Sequence, residues 1–293
     1  MNFPYSNEVS KKISHIKSSP QQVYLFYGSQ GIGKLRAAHD IVRTILNQQM
    51  VDDYKEFVHP NLTQLDLIEG KKSISINQVR EMSERIWQTS VSRELQKIAI
   101  INGIDKISTE GANALLKNLE DSPPQTTFIL IASSLDNVLP TIRSRSQLVY
   151  FAPVNSSVLQ EYLQSNHRLS AKQAAEVAEL AHNMPEVAVM LTNNDILEES
   201  RELQQEVQKY INGTISQKFL IAKTMHDQRL GNEFVSELSY AIWQQSSILM
   251  HGESNQRNSV SNLEKVLQAQ TEIIANVSSR TAIENLALQL ENN

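Results

Sequence analysis

Five nearly continuous apolar runs mark the first half of the chain: Val23–Tyr27 (VYLFY), Leu62–Ile68, Lys97–Ile101 (KIAII), Thr127–Ala132 (TFILIA) and Gln147–Phe151. Runs that are apolar without alternation suit strands covered on both faces. The stretches between them carry helical spacing and readable start signals. Ser75-Ile76-Asn77-Gln78 reads as a capping box that opens a helix through Trp87. Ser108 is placed to cap the next helix, whose Ala112, Leu115, Leu116 and Leu119 share one face. That helix has to stop by Ser122, because Pro123-Pro124 cannot continue it. Strands alternating with helices predict a parallel sheet with crossover connections.

Beyond Phe151 the pattern changes, and no strand is predicted from Asn155 onward. Val158–Gln164 and Ala171–His182 read as short helices, with a break at Asn183-Met184-Pro185. Longer helices are expected over 206–211, 216–226, 232–250, 260–275 and 279–291. The polar stretch His251–Asn258 reads as a flexible loop between two of them. The expected organisation is an α/β domain over 1–153, a small helical module over 154–205 and an all-α domain over 206–293. No internal repeat or low-complexity tract interrupts it.

Composition narrows the function classes. With 293 residues, 40% hydrophobic and 20% charged, the chain can bury a real core and fill about two domains. No window approaches the roughly 18 uninterrupted apolar residues of a membrane span. The opening MNFPYSNEVSKKISHIK lacks a hydrophobic stretch before a small-residue cleavage site. A cytoplasmic protein with no membrane partner is expected. The absence of cysteine removes disulfides, thiol catalysis, Cys-ligated zinc and iron–sulfur clusters. The seven histidines are scattered with no H-x-x-x-H pair, so no metal site is expected. Net charge is −5, and residues 231–293, with seven acidic and three basic side chains, account for −4 of it. The rest is nearly neutral and lacks the basic surface of a stand-alone nucleic-acid binder; any DNA contact has to come from a local patch or from assembly.

Three of the nine glycines fall within Gly28-Ser29-Gln30-Gly31-Ile32-Gly33-Lys34-Leu35, directly after the first strand and before a helix. Glycines at this spacing let backbone N–H groups turn toward phosphate oxygens at a helix N-terminus. Gly28, Gly31, Gly33 and Lys34 are therefore the candidate nucleotide-binding residues, with the ammonium directed at the outer phosphates. The alternative is a tight strand-to-helix turn with no ligand. Leu35 stands where such loops place the hydroxyl that ligates magnesium. The third apolar run ends in Asn102-Gly103-Ile104-Asp105, so Asp105 lies three residues beyond the expected first acid and reads as a turn residue. Pro140-Thr141-Ile142-Arg143-Ser144-Arg145-Ser146 adds two arginines, which by spacing alone are surface residues.

Taken with His59-Pro60-Asn61-Leu62, Ser73–Arg80, the run Ala112–Pro124 (ANALLKNLEDSPP) and Leu139–Arg145 (LPTIRSR), these segments resemble the clamp-loader branch of the AAA+ ATPases over about residues 5–190. The resemblance implies a five-stranded parallel sheet with flanking helices, a helical lid and a C-terminal helical collar. It implies a subunit of a hetero-oligomeric loader that places a ring-shaped sliding clamp on primed DNA during replication, with gamma/tau and delta subunits as partners. Ser144-Arg145-Ser146 matches the family's Ser-Arg-Cys motif, which implies that Arg145 reaches in trans into a neighbour's ATP site; Ser146 departs from the cysteine.

Other departures separate the chain from the family's motors. Asn102 and Gly103 fall on the two acidic positions of the second strand, and Ser133-Ser134 on the sensor position. Glu186 lies where motors carry a phosphate-sensing arginine, and the family's zinc-binding cysteines are missing near residues 47–62. The resemblance thus implies a subunit without catalysis of its own and without a required cofactor, leaving at most weak ATP or ADP binding. An ATP-hydrolysing gamma-type motor is the alternative, and a nucleotide kinase is a weaker one. Leu35, Asn102, Gly103 and Glu186 all point away from a motor.

Overall fold

The computed structural model describes residues 3–47, 58–68, 70–88, 96–123, 125–248, 253–275 and 277–290. The chain divides into two compact units, Met1–Thr192 and Asn193–Asn293.

The first unit opens with α1 (Asn7–Ser18), β1 (Val23–Tyr27) and α2 (Lys34–Ile45), followed by β2 (Leu62–Asp66) and α3 (Ile76–Gln88). It continues through β3 (Lys97–Asn102), a 3-10 turn at Ile104–Lys106, α4 (Thr109–Asp121), β4 (Thr126–Ala132), α5 (Pro140–Ser144) and β5 (Gln147–Tyr150). All five strands are parallel, in the order β2-β3-β4-β1-β5. The sheet therefore has both faces covered by crossover helices. On one face Leu25, Ile101 and Leu130 pack with Val79, Leu115 and Leu119 of α3 and α4. On the other, Tyr24, Phe26, Ile100 and Ile129 pack with Ile13 of α1 and Ala38 and Ile41 of α2. Alternate residues of one strand serve opposite cores, which is why the apolar runs are continuous. The strand bounds match the expected ones to within two residues. β2 is the most shortened, because pairing ends where Asp66 faces Asn102 and Leu67 and Ile68 leave the sheet.

The helix signals hold. Ser75 and Gln78 cap α3 reciprocally, with Ser75 N–H donating to Gln78 Oε1 at 3.0 Å and Gln78 N–H to Ser75 Oγ at 3.4 Å. Ser108 Oγ accepts from Gly111 N–H at 3.1 Å, and α4 ends at Asp121, before the prolines. After the sheet come α6 (Ser156–His167), α7 (Ala171–Leu180) and α8 (Pro185–Met190). The expected break is present: His182 and Asn183 take left-handed φ of 51° and 57°, and Pro185 opens α8.

The second unit consists, among its described residues, of helices: α9 (Asn194–Asn212), α10 (Ile215–Asp227), α11 (Gly231–Ile248), α12 (Glu253–Ile274) and α13 (Ser279–Gln289). Its core gathers Tyr210, Phe234, Leu238, Val266 and Ile283, and the Tyr210 hydroxyl donates to the Ile283 carbonyl at 2.7 Å. α9 runs without a break through position 206, where the sequence pattern opens the C-terminal domain. The loop expected at His251–Asn258 is corrected: residues 253–258 belong to α12, and His251 and Gly252 lie outside the described residues. Polarity alone does not end a helix; the one strong breaker of that stretch is Gly252, ahead of the first turn. Most of the cysteine-free segment discussed above, residues 48–57, also lies outside the described residues.

Candidate functional site

The glycine-rich loop joins the C-terminal end of β1 to the first turn of α2, at the edge of the sheet where parallel strands place ligand sites. Gly28, Gly31 and Gly33 all have positive φ, at 142°, 80° and 96°. The sequence-predicted residues Gly28, Gly31, Gly33 and Lys34 are thus together in one turn. What surrounds them is the chain itself. Tyr5 Oη reaches the Gly33 carbonyl at 3.4 Å, and Phe3, itself buried, packs on Gly33 and carries the Arg36 guanidinium 4.6 Å above its ring. From the other side Glu186 N–H, in the first turn of α8, donates to the Gly31 carbonyl at 2.9 Å. The small helical module is therefore bonded to the loop directly.

Lys34 is buried, and its ammonium donates to the carbonyls of Gly28 and Ser29, each at 2.6 Å. Burial, the largest influence, pulls this ammonium from its usual range down to about 8, against Glu186 and then Asp105, which favour the charged form. An unfolded lysine keeps its proton to about pH 10.4. Between about pH 8 and 10 the unfolded chain therefore binds the extra proton, and the stability linked to this group rises with pH; it is lost as pH falls through 8. Relative to Lys34→Met, the native chain is expected to gain about 1.4 kcal/mol of unfolding free energy per pH unit across that window. Denaturant unfolding of both proteins at several pH values checks this, and a difference that stays flat contradicts it.

Beside Lys34 lies a cleft of about 340 Å³ whose charged lining is Lys34, Lys106, Asp66, Asp105 and Glu186. Three carboxylates against two ammonium groups make it an unfavourable place for a polyanion. Asn102, in the strand position where an acid is needed, donates its amide to Asp66 Oδ1 at 2.9 Å, and Gln64 holds the other oxygen of Asp66 at 2.7 Å. Asp105 accepts from Ser133 N–H at 2.9 Å, so it ties the 3-10 turn to the end of β4, as its reading as a turn residue anticipates. Leu35 brings no oxygen to the cleft. These donors do not fit a magnesium–nucleotide complex. No group of three or more His, Asp or Glu side chains among the described residues could hold a metal ion. Asp66 was not singled out by sequence reasoning; it enters the cleft through the register that sets it opposite Asn102. Only its place as the acidic last residue of a strand could have flagged it.

Arg145 does not line this cleft. It is the C-terminal cap of α5, half exposed, and its guanidinium is held at both ends: Nη1 donates to the Thr141 carbonyl at 3.2 Å and Nη2 pairs with Glu120 Oε1 at 2.5 Å. Ser146, in place of the family's cysteine, donates to the Ile142 carbonyl at 2.7 Å and closes the same turn. None of the helices among the described residues is long and apolar enough to cross a membrane.

A family model described as "DNA polymerase III, delta subunit" matches residues 6–155. The chain is 26% identical to DNA polymerase III subunit delta' of Bacillus subtilis over an alignment covering 99% of this chain and 95% of that protein. It is 29% identical to subunit delta' of Haemophilus influenzae over 49% of this chain, an alignment that spans 43% of that relative's length. Its fold is that of a DNA polymerase III gamma subunit-related protein from Thermotoga maritima, with a TM-score of 0.56, 13% identity and coverage of 96% and 98% of the two chains. The five-stranded parallel sheet with flanking helices and the helical C-terminal region are the fold that was expected.

Proposed function

This chain belongs to the DNA polymerase III delta subunit family, and on that premise we propose that it is a delta-prime-like stator of a bacterial clamp loader. In this reading it works in the cytoplasm within a ring of gamma/tau and delta subunits. The ring opens the sliding clamp and sets it on primed DNA, which this chain meets through the assembled complex. The chain does not hydrolyse ATP; it contributes Arg145 to the ATP site of a neighbouring gamma or tau subunit. The α/β region, 1–153, and the helical module that follows form the rigid body, and the C-terminal helices act as the collar that joins the ring.

The observation that carries this reading is the cleft beside Lys34. Its magnesium ligands are replaced by Leu35, Asn102 and Gly103, Glu186 adds negative charge, and the Lys34 ammonium is committed to the loop's own carbonyls. A triphosphate depends on a divalent ion to neutralise the transferring group, and this cleft has no ligand set for one. Any ATP or ADP held by Gly28, Gly31, Gly33 and Lys34 is bound weakly and without turnover. The bond from Glu186 N–H to Gly31 supports a loop and lid that stay together without nucleotide.

Steady-state ATP hydrolysis tests the proposal, with the chain alone compared with gamma/tau and delta subunits assembled around it, clamp and primed DNA present throughout. No turnover is expected from the chain alone, and turnover from the assembly. Hydrolysis by the isolated chain that disappears in Lys34→Ala would instead establish a gamma-type motor.

A further inference from the structure

Arg145 is held before any partner arrives. Glu120 is the penultimate residue of α4, and the last turn of that helix contains no basic side chain. Its carbonyl end therefore carries uncompensated negative dipole beside a carboxylate. Arg145, delivered from α5, supplies the missing positive charge through the 2.5 Å contact to Glu120. Both helices are anchored in the same core: Ile142 of α5 and Leu115 and Leu119 of α4 are buried in one cluster. The Thr141 carbonyl, which takes Arg145 Nη1, also accepts from Ser144 Oγ at 3.1 Å, so the turn that aims the side chain is itself bonded.

We infer that Glu120 is a positioning residue for Arg145, holding the guanidinium in the direction in which it meets a phosphate of the neighbouring subunit. The inference rests on the reading of Arg145 as a trans-acting group. A guanidinium has five N–H donors. The contacts to Thr141 and Glu120 engage one on each terminal nitrogen, and the others, including Nε–H, remain for phosphoryl oxygens. At 43% exposure the group is open to a partner, and Glu120, at 48%, is not sealed in a core. A free arginine side chain has to give up most of its rotamer freedom when it docks. The Glu120 contact removes that freedom in advance, as preorganised catalytic groups require.

The test is ATP turnover by the assembled loader, with clamp and primed DNA, carrying Glu120→Ala, Glu120→Gln, Arg145→Ala or the double substitution Glu120→Ala/Arg145→Ala in this chain. Glu120→Ala is expected to lower kcat about tenfold with KM for ATP unchanged, the scale of one long side chain's lost preorganisation. Glu120→Gln, which keeps an acceptor of the same length, falls less. The double variant is expected to be no slower than Arg145→Ala alone, since Glu120 acts only through the arginine. An exposed pair contributes little to stability, so thermal unfolding and assembly by gel filtration stay at the native values. If Arg145→Ala is itself silent, the trans-acting reading fails. If Arg145→Ala slows turnover while Glu120→Ala leaves it unchanged or raises it, the arginine's role stands and the positioning role of Glu120 is overturned.

Discussion

Arg145→Ala, placed in this chain alone within an assembled loader, is expected to slow ATP turnover at the neighbouring site by about 10³-fold or more, the range found for trans-acting arginines in phosphoryl transfer. The size of the effect follows from where charge develops. The transferring phosphoryl group gathers negative charge on its equatorial oxygens, and a guanidinium fixed beside it in a water-poor interface stabilises that charge far more than it would in solvent. The fold should not notice the change. The side chain is half exposed, and its contacts to Glu120 and Thr141 lie on the surface of the unit, where an ion pair contributes at most about 1 kcal/mol. Arg145→Lys is expected to lose most of the activity as well, because an ammonium is a point donor that cannot span Glu120, the Thr141 carbonyl and a phosphate together. Measured turnover in the mutant assembly that matches the native one would remove Arg145 from the mechanism.

The central strands were legible because the physics is local. Val23–Tyr27, Lys97–Asn102 and Thr126–Ala132 each face two cores, and a strand covered on both sides has to be apolar throughout. Caps were legible for the same reason: Ser75 with Gln78, and Ser108 with Gly111, act within three residues. The opening of α12 was not, since its polar first turns look like a loop when the interior they flank is unknown. At the site, the glycines and Lys34 stood out as a motif, but their contacts could not. Gly28 meets Phe151, Gly31 meets Val187 and Gly33 meets Phe3. Asp66 joins Asn102 through strand register, and Glu120 joins Arg145 across two helices. Such pairings depend on the assembled sheet, and spacing along one chain does not encode them.

Gly28 separates a loop shaped for a ligand from one shaped for the fold. A Cβ at this position would lie 2.3 Å from the Phe151 carbonyl oxygen and 3.2 Å from its carbon, with φ at +142°. The obstacle is backbone, and it is held: Phe151 N–H donates to the Tyr27 carbonyl at 2.8 Å at the end of the β1–β5 pairing. Moving the strand end away from the loop would strain that bond. Gly28→Ala is therefore expected to destabilise the chain by about 4 kcal/mol, combining a strained φ with overpacking. Gly31→Ala should cost less, because its nearest obstacle, Val187 Cγ2 at 2.5 Å, is the tip of a side chain. Urea unfolding of the free chain measures both. A Gly28→Ala protein with native stability that had lost nucleotide binding would mean that the loop is kept for phosphate, and the motor reading would return. Strong destabilisation with no nucleotide added, together with no hydrolysis by the native chain, would mean that this glycine is held by packing against the sheet.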